Sequence, residues 1–232
     1  MDGNGRWAEA RGLTRNAGHR AGAEIIKTII QTCVSKQIKM LSIWAFGRDN
    51  WSRPLLEVDF LMQLFLDTLR HEIDELHAKG VRVKFIGSRV ELAPMLREEM
   101  QLSETRTQHN TKFYLNIVMN YSGKWDIIQA AQAFAKRVAA GECRYDELNE
   151  SQFTALTSTH DLPEPDLFIR TSGEQRLSNF FLWQLAYTEL YFTNVAWPDF
   201  TVVEFEKALD SFARRQRRYG KIAQQCMEDI HV

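Results

Sequence analysis

The amino-terminal segment, residues 1–7 (MDGNGRW), places an acid, two glycines and a cation close together. Glycines allow backbone N–H groups to turn toward an anion, and an arginine side chain can donate two parallel hydrogen bonds to phosphate oxygens. Asp2 could hold a Mg²⁺ ion that is shared with those phosphates. The segment therefore suits a diphosphate group, although Asn-Gly is also a common turn dipeptide and the same residues could form a plain turn.

A second polar segment, residues 45–54 (AFGRDNWSRP), directly follows an apolar run that favours a strand. In a parallel sheet the loops after the carboxyl ends of the strands form the binding crevice, so polar side chains here are candidates for substrate contact. The candidates are Gly47, Arg48, Asp49, Asn50, Trp51 and Arg53. A structural interpretation is also open, in which Trp51 is a core aromatic residue and Asp49 caps the next helix.

A third segment, residues 166–179, joins a short apolar run to a glycine-containing loop. Arg170, Arg176 and Ser178 could together bind a second anion, because arginine and hydroxyl groups donate hydrogen bonds to phosphate. The alternative is that Ser178 or Asn179 caps a helix and that the two arginines are solvated.

Three further ionisable residues lie outside these segments. Glu189 sits in an apolar and aromatic run, where a lone acid is costly unless an arginine or a metal ion pairs with it. Arg15 and His19 lie near the start of the first predicted helix and could extend a phosphate site, although His19 alone is more simply a helix-terminus residue. The basic run at 214–218 is interpreted as the solvated end of a helix, where cations are favourable.

The elements that must position these residues alternate between short apolar runs and longer amphipathic ones, which is typical of an α/β fold. Strands are predicted at residues 40–46, 81–86, 113–119 and 167–169, with a fifth at 189–192. Helices are predicted at residues 21–35, 55–79, 125–140 and 203–219, and three of them end at Gly80, Gly141 and Gly220. The pattern predicts one domain over residues 1–232, with a mostly parallel central β-sheet flanked by helices.

Composition limits the possible functions. The 232 residues include 29 Lys and Arg against 30 Asp and Glu, a net charge of −1 that argues against a nucleic-acid arm or a polybasic membrane anchor. No run approaches the roughly 18 consecutive apolar residues of a membrane span. Three cysteines without CxxC spacing suggest neither a disulfide framework nor a zinc site, so a reducing, cytoplasmic location is expected.

Taken together, the polar segments resemble the cis-prenyltransferase family, and within it the bacterial undecaprenyl diphosphate synthase group. The matching motifs run in order along nearly the whole chain. They are MDGNGRWA (1–8), GHRAG (18–22), DNWSRP (49–54), NYSGKWDI (120–127), IRTSGEQRLSNFFLWQ (169–184) and AYTELYFTNVAWPDF (186–200). The chain contains no GxxxxGKS or GxxxxGKT motif, which makes a P-loop phosphohydrolase a weak alternative.

The resemblance implies a Mg²⁺-dependent transferase that adds isopentenyl diphosphate units, one after another and with cis double bonds, to farnesyl diphosphate. The implied product is a long-chain polyprenyl diphosphate, the precursor of a lipid carrier for cell-wall polysaccharides. A homodimer with peripheral membrane contact is also implied. The family includes non-catalytic partner subunits, which tend to lose the acid and arginine motifs; this chain keeps Asp2, Arg170, Arg176 and Glu189.

The resemblance also assigns roles to individual residues. Asp2 resembles the acid that engages Mg²⁺, Glu189 the second metal carboxylate and Asn50 the residue of proton removal. Because an amide is a poor base, we expect Asn50 to position the substrate or a water molecule. The allylic diphosphate cradle would be Gly3, Asn4, Gly5, Arg6, Arg15 and His19, with Trp7 beside the substrate. The isopentenyl diphosphate site would be Arg170, Arg176, Leu177 and Ser178. The loop Gly47, Arg48, Asp49, Trp51 and Arg53 would complete the substrate site.

The chain departs from the family pattern at the second segment. Where the family usually has FSSENW, this sequence has FGRDNW at 46–51, so a hydroxyl is lost at Gly47, a cation is gained at Arg48 and Asp49 replaces a glutamate. We therefore expect an altered affinity for the primer or an altered rate.

The product's apolar tail needs a tunnel, expected to be lined by Ile43, Leu64, Leu69, Phe113, Leu115 and Ile117. Met119 occupies a position where the family often has a small residue, which predicts products shorter than eleven isoprene units if its side chain faces the tunnel. A strand of the HVAII kind normally precedes MDGN in the family, so a strand behind Asp2 is expected to be missing, and residues 221–232 are expected to be a flexible tail.

Overall fold

The computed structural model describes residues 1–215, in which short strands alternate with longer helices. The strands are β1 (Met40–Gly47), β2 (Val81–Ile86), β3 (Phe113–Tyr121), β4 (Leu167–Arg170) and β5 (Glu189–Phe192). The helices are α1 (Asn4–Glu9), α2 (Arg15–Ser35), α3 (Leu55–Ala78), α4 (Pro94–Thr107), α5 (Gly123–Ala139), α6 (Glu150–Thr154) and α7 (Val202–Ala213). Short 3₁₀ turns occur at Arg48–Ser52, Tyr145–Glu147 and Trp197–Asp199.

All strand pairs in the described part of the chain are parallel. β3 lies between β1 and β2, and β4 pairs separately with β5. The predicted α/β fold with parallel strands and flanking helices is confirmed, and all five predicted strands are present. They form two sheets rather than the one central sheet expected, because the apolar pattern of a strand identifies the element but not its neighbour.

A cavity of about 900 Å³ lies between β1 and β4. Its walls come from both strands and from apolar side chains of α2 and α7, such as Ile29 and Phe205. Backbone and side-chain atoms of residues 1–6 also line it. The two sheets therefore enclose a space that the polar segments of the sequence border.

Local signals explain three of the helix ends. Thr14 accepts a hydrogen bond from Ala17 N at 3.4 Å, so α2 begins one and a half turns before the predicted start, through a polar stretch that the apolar period does not reveal. α3 and α5 stop as predicted at Gly80 and Gly141, each at φ +74°, which glycine adopts without strain. Gly220, the second half of the basic run and the predicted tail at 221–232 lie outside the described residues.

The amino-terminal segment is a short helix rather than a plain turn. Gly3, at φ +99°, precedes α1, which packs closely on α2. A Cβ atom on Gly18 would lie 2.0 Å from the backbone oxygen of Asn4, and one on Gly22 would lie 2.3 Å from Asn4 Oδ1. Both positions of α2 therefore require glycine, and this contact fixes the residues around Asp2.

Three further findings concern an unpredicted helix, membrane spans and the cysteines. α4 was not predicted, because Leu96 and Met100 are its only buried apolar side chains and the intervening residues are polar. No helix within residues 1–215 is long and apolar enough to cross a membrane. Cys33 and Cys143 are free thiols, and Cys226 lies beyond the described residues.

Candidate active site

Asp2 is anchored to the end of β4. Its backbone N donates to Thr171 Oγ1 at 2.8 Å, and its backbone oxygen accepts from Thr171 Oγ1 at 2.8 Å and from Trp197 N at 3.0 Å. Through these bonds a residue at the start of the sequence is held beside the third polar segment.

The Asp2 carboxylate faces cationic and N–H donors. Arg170 Nη2 donates to Oδ2 at 3.0 Å, Gly3 N donates to Oδ1 at 2.7 Å, and Arg6 Nη2 lies 3.7 Å from Oδ1. Partial burial alone would raise the pKa of Asp2, but the hydrogen bonds from Arg170 and Gly3 outweigh it and hold the pKa below its ordinary value. Asp2 is therefore ionised at neutral pH.

Arg170 connects Asp2 to the third polar segment. Its side chain is 12% exposed, and Nη1 donates to Ser178 Oγ at 2.7 Å and to the backbone oxygen of Arg176. The loop carrying these groups is strained, since four non-glycine residues have left-handed φ angles. They are Ser172, Ser178, Asn179 and Phe181. Such strain, held by surrounding contacts, is concentrated at functional sites in proteins.

A second cationic cluster forms around Glu57 in the first turn of α3. Arg15 Nε donates to Glu57 Oε2 at 3.1 Å, while Arg53 Nη1 and His19 Nε2 both lie 3.3 Å from Oε1. Burial raises the pKa of Glu57, but the hydrogen bonds and charges of Arg15 and Arg53 lower it by more. The net pKa is below its ordinary value, so the carboxylate is ionised at neutral pH. The Arg15 guanidinium also packs against Gly5, where a Cβ would lie 2.6 Å from it. Glu57 thus gathers three predicted substrate-binding residues.

Glu57 was not identified from the sequence. The available signal was its position four residues after Arg53, at the start of a helix, where an acid and a base can pair.

Burial lowers the pKa of His19 despite its contact with Glu57, so its imidazole is neutral at pH 7.

The second polar segment forms a 3₁₀ turn directly after β1. Gly47 N donates to Asn50 Oδ1 at 2.9 Å, and because a backbone N–H can only donate, this bond fixes the orientation of the Asn50 amide. Trp51 packs edge-on against Phe46 and donates from Nε1 to Asn120 Oδ1 at 2.8 Å. Asp49 lies within the turn and does not cap α3, whose preceding residue is Pro54.

Most of the predicted site residues line the cavity between β1 and β4. They are Asp2, Gly3, Asn4, Gly5, Arg6, Arg15, His19, Gly47, Asp49, Asn50, Arg53, Arg170, Leu177 and Ser178. Three distant segments of the sequence therefore border one space, and two of them lie at the carboxyl ends of β1 and β4.

Five predicted residues are not brought to this cavity. Trp7 donates from Nε1 to Asp199 at 2.7 Å and lies under Arg11; Arg48 pairs with Glu91 at 2.7 Å. Trp51 is held by Asn120 as described above. Arg176, whose side chain is exposed, pairs with Glu174, which itself lies 3.1 Å from Arg6.

Glu189 is the fifth predicted site residue that does not line this cavity. It begins β5 opposite Leu167, whereas Arg170 lies opposite Phe192, so Glu189 is three residues along the sheet from the level of Arg170. Its Oε2 accepts from Arg215 Nη1 at 2.8 Å. The arginine pairing that the sequence left open is thus present, and the role of Glu189 as a second metal ligand stays a prediction.

Asp2 fits a Mg²⁺ ion shared with a substrate. Its carboxylate is ionised, 38% exposed and at the cavity wall. Within residues 1–215 no group of three or more His, Cys, Asp and Glu side chains could hold a metal. Because Mg²⁺ is commonly bound by one or two carboxylates together with substrate phosphates, Asp2 would supply the protein ligand and the phosphates would supply others.

A second, apolar cavity of about 380 Å³ adjoins the first, lying between α2 and α3 over β1 and β3. Of the predicted tunnel residues it is lined by Ile43, Leu64, Leu69, Leu115 and Ile117. Phe113 does not line it: this residue begins β3 and is fully buried in the core. Met119 lies on the same strand face as Leu115 and Ile117 and does line the cavity.

The parallel α/β fold places a cavity bordered by four arginines beside a second, largely apolar cavity, an arrangement that suits a ligand with an anionic head group and an attached apolar chain. Residues 1–220 match the family model described as "Putative undecaprenyl diphosphate synthase". The chain belongs to this family and is a transferase of the cis-prenyltransferase class.

Individual relatives agree with this assignment. The chain is 57% identical over 224 residues to the ditrans,polycis-undecaprenyl-diphosphate synthase ((2E,6E)-farnesyl-diphosphate specific) of Legionella pneumophila, covering 97% of this chain and 94% of that one. It is 48% identical over 225 residues to the enzyme of the same name in Coxiella burnetii, covering 97% and 95%.

Two solved structures share the fold. Lavandulyl diphosphate synthase from Lavandula x intermedia, in complex with dimethylallyl diphosphate, is 38% identical with a TM-score of 0.93 and 95% coverage of both chains. A probable undecaprenyl diphosphate synthase from Campylobacter jejuni is 33% identical with a TM-score of 0.76, covering 87% of this chain and 93% of that one.

Proposed function

We propose that this enzyme condenses isopentenyl diphosphate repeatedly, in the cis configuration, onto farnesyl diphosphate to make a polyprenyl diphosphate. The observation that carries this proposal is the bond between Arg170 and Asp2, which joins the two anion-binding segments at one cavity wall. The names of the Legionella and Coxiella relatives, which specify farnesyl diphosphate, support the choice of primer.

The two cationic clusters suit two diphosphates. The allylic diphosphate would lie against the start of α1, with Arg6, Arg15 and His19, and isopentenyl diphosphate would lie against Arg170 and Ser178. The dimethylallyl diphosphate named in the lavandulyl diphosphate synthase structure is itself an allylic diphosphate, which supports this class of ligand. Before substrates arrive, Asp2 holds Arg170 in place and Glu57 holds Arg15 in place.

The reaction requires charge stabilisation at the leaving group. Breaking the allylic C–O bond builds negative charge on the diphosphate, and Arg6, Arg15 and the N–H groups at the start of α1 stabilise that charge where it develops. Mg²⁺, when bound, would neutralise further phosphate charge. Arg170 keeps the Asp2 carboxylate ionised and oriented toward the cavity.

Asn50 would position the isopentenyl unit rather than remove its proton. Its Oδ1 already accepts from Gly47 N, so its Nδ2 is the group turned away to donate to the substrate or to a water molecule. A diphosphate oxygen is the better base for the proton lost in each condensation.

The growing chain would enter the apolar cavity between α2 and α3. This cavity meets the cationic one at His19, Ile43 and Phe46, which line both. The product would be of undecaprenyl length, or shorter where the Met119 side chain in the cavity wall limits it. The product would serve cell-wall polysaccharide synthesis, and the enzyme would be a cytoplasmic homodimer with peripheral membrane contact for product release.

One experiment tests the activity. The purified chain is incubated with farnesyl diphosphate, radiolabelled isopentenyl diphosphate and Mg²⁺, and the products are extracted into butanol. We expect label in the organic phase with the parent chain, no label with Asp2→Ala, and parental label with Asp67→Asn, which alters an exposed acid on α3. Absence of label from the parent chain would instead favour a non-catalytic partner subunit.

A further inference from the structure

We propose that Glu91, in the loop after β2, is a positioning residue for the turn that carries Asn50 and Trp51. This inference rests on the proposed function and adds to it. Glu91 does not line either cavity, yet its carboxylate binds three groups. Oε1 accepts from Arg48 Nη2 at 2.7 Å, and Oε2 accepts from Ser88 Oγ at 2.7 Å and from Asn120 Nδ2 at 2.8 Å.

Asn120 connects Glu91 to Trp51 through hydrogen bonds of its side-chain amide. Asn120 is fully buried near the end of β3, at φ +51°, and its Nδ2 also donates to the backbone oxygen of Ser88 at 3.0 Å. Since an ionised carboxylate and a carbonyl can only accept, the nitrogen of the Asn120 amide must face them. The amide oxygen must then face Trp51, where it accepts from the indole Nε1 at 2.8 Å.

Glu91 therefore holds two residues of one turn, one directly and one through Asn120. Arg48 is the first residue of the 3₁₀ turn and Trp51 is the fourth, with Asn50 between them. The bond from Arg48 draws that guanidinium toward Glu91 and over the Trp125 ring, 5.6 Å from its centre, and away from the cavity that Asn50 lines. The bonds from Arg48 and Ser88 lower the pKa of Glu91 to about 2, so the carboxylate is charged at neutral pH.

The Glu91→Gln variant distinguishes positioning of the turn by the carboxylate from a role of the side chain in packing alone. The Gln side chain has nearly the same volume, but its NH₂ group cannot accept from Asn120, and its oxygen binds Arg48 without a charge. We expect kcat for label incorporation to fall about tenfold, the KM for isopentenyl diphosphate to change less than about threefold, and Tm to change little. Glu98→Gln, an exposed glutamate on α4, is the matched control and should behave like the parent.

A double-mutant cycle tests whether the effect passes through Trp51. Trp51→Phe removes the indole donor, so Glu91→Gln added to it should lower kcat less than about threefold further. If the two losses instead multiply, Glu91 does not act through Trp51, and the proposed route through Asn120 is wrong.

An activity-independent measurement separates this inference from the proposed function. In the ¹⁵N-labelled protein, the indole N–H signal of Trp51, assigned by its loss in Trp51→Phe, should shift in Glu91→Gln and stay in place in Glu98→Gln. An unchanged Trp51 signal would overturn the inference even in an active enzyme, whereas a shifted signal in an inactive parent chain would overturn only the proposed function. If Glu91→Gln does not fold, Glu91→Asp is measured in its place, because the shorter side chain cannot reach Arg48 and Asn120 together.

Discussion

Arg170 Nη2 lies 3.0 Å from Asp2 Oδ2, so a bond between residues 168 positions apart joins the amino-terminal segment to the end of β4. The same guanidinium donates to Ser178 Oγ at 2.7 Å. Both ends of its planar fork are therefore occupied, and Arg170 fixes the relative positions of a carboxylate and a hydroxyl that face one cavity.

Lysine cannot replace Arg170 without loss. A single ammonium cannot bond Asp2 and Ser178 in the same planar geometry, so in Arg170→Lys we expect kcat/KM for isopentenyl diphosphate to fall by about 10². Steady-state kinetics at saturating farnesyl diphosphate measure this change. Arg106→Lys, in an exposed ion pair on α4, is the control. If Arg170→Lys has the same kcat/KM as the parent enzyme, the planar guanidinium of Arg170 is not required.

Glu57 makes the stability of the folded protein depend on pH. Its pKa is lowered in the folded state, so it contributes stability above its unfolded pKa near 4.5, and that contribution is lost as the pH falls through the folded pKa. Glu57→Gln should therefore lower Tm at pH 7, and the difference from the parent should shrink below about pH 4.5. Thermal melts from pH 3 to pH 8 measure it; a difference that does not change with pH would contradict this assignment.

Gly18 should not tolerate a methyl group. An alanine Cβ would lie 2.0 Å from the backbone oxygen of Asn4, so α1 must move away from α2, at a cost of at least about 2 kcal/mol. Gly12→Ala is a matched control, since its Cβ meets no atom within 4 Å and only its φ of +68° costs about 1 kcal/mol. Denaturant unfolding compares the two variants; equal losses would show that the contact between α1 and α2 is not close in solution.

The sequence predicted the elements better than their arrangement. Apolar runs and glycine stops located the five strands and both ends of α3 and α5, because these depend on neighbouring residues. α4 lacks that periodic signal, and the separation of β4 and β5 from the other strands depends on contacts distant in sequence. Most of the residues that the motifs named line the cavity, but Glu57 and Glu91 act through long-range bonds to Arg15 and Asn120, which no local pattern reveals.

Met119 is expected to limit product length. It is 2% exposed and faces the apolar cavity from the same side of β3 as Leu115 and Ile117. If the growing chain occupies this cavity, the thioether restricts its length, and Met119→Ala should shift the products toward longer chains while the parent makes fewer than eleven isoprene units. Reversed-phase chromatography of the dephosphorylated products measures the distribution.

In the Met119 experiment, a loss of protein stability must be distinguished from the removal of a steric limit on product length. Truncating a buried methionine costs about 2–5 kcal/mol wherever it occurs in the core. Met100→Ala is therefore the matched control, because Met100 is also 2% exposed but lies on α4 away from both cavities. Longer products in Met119→Ala alone would support a steric limit. A parent product of eleven units, or the same lengthening in Met100→Ala, would contradict it, since then the cavity wall at Met119 does not set the length.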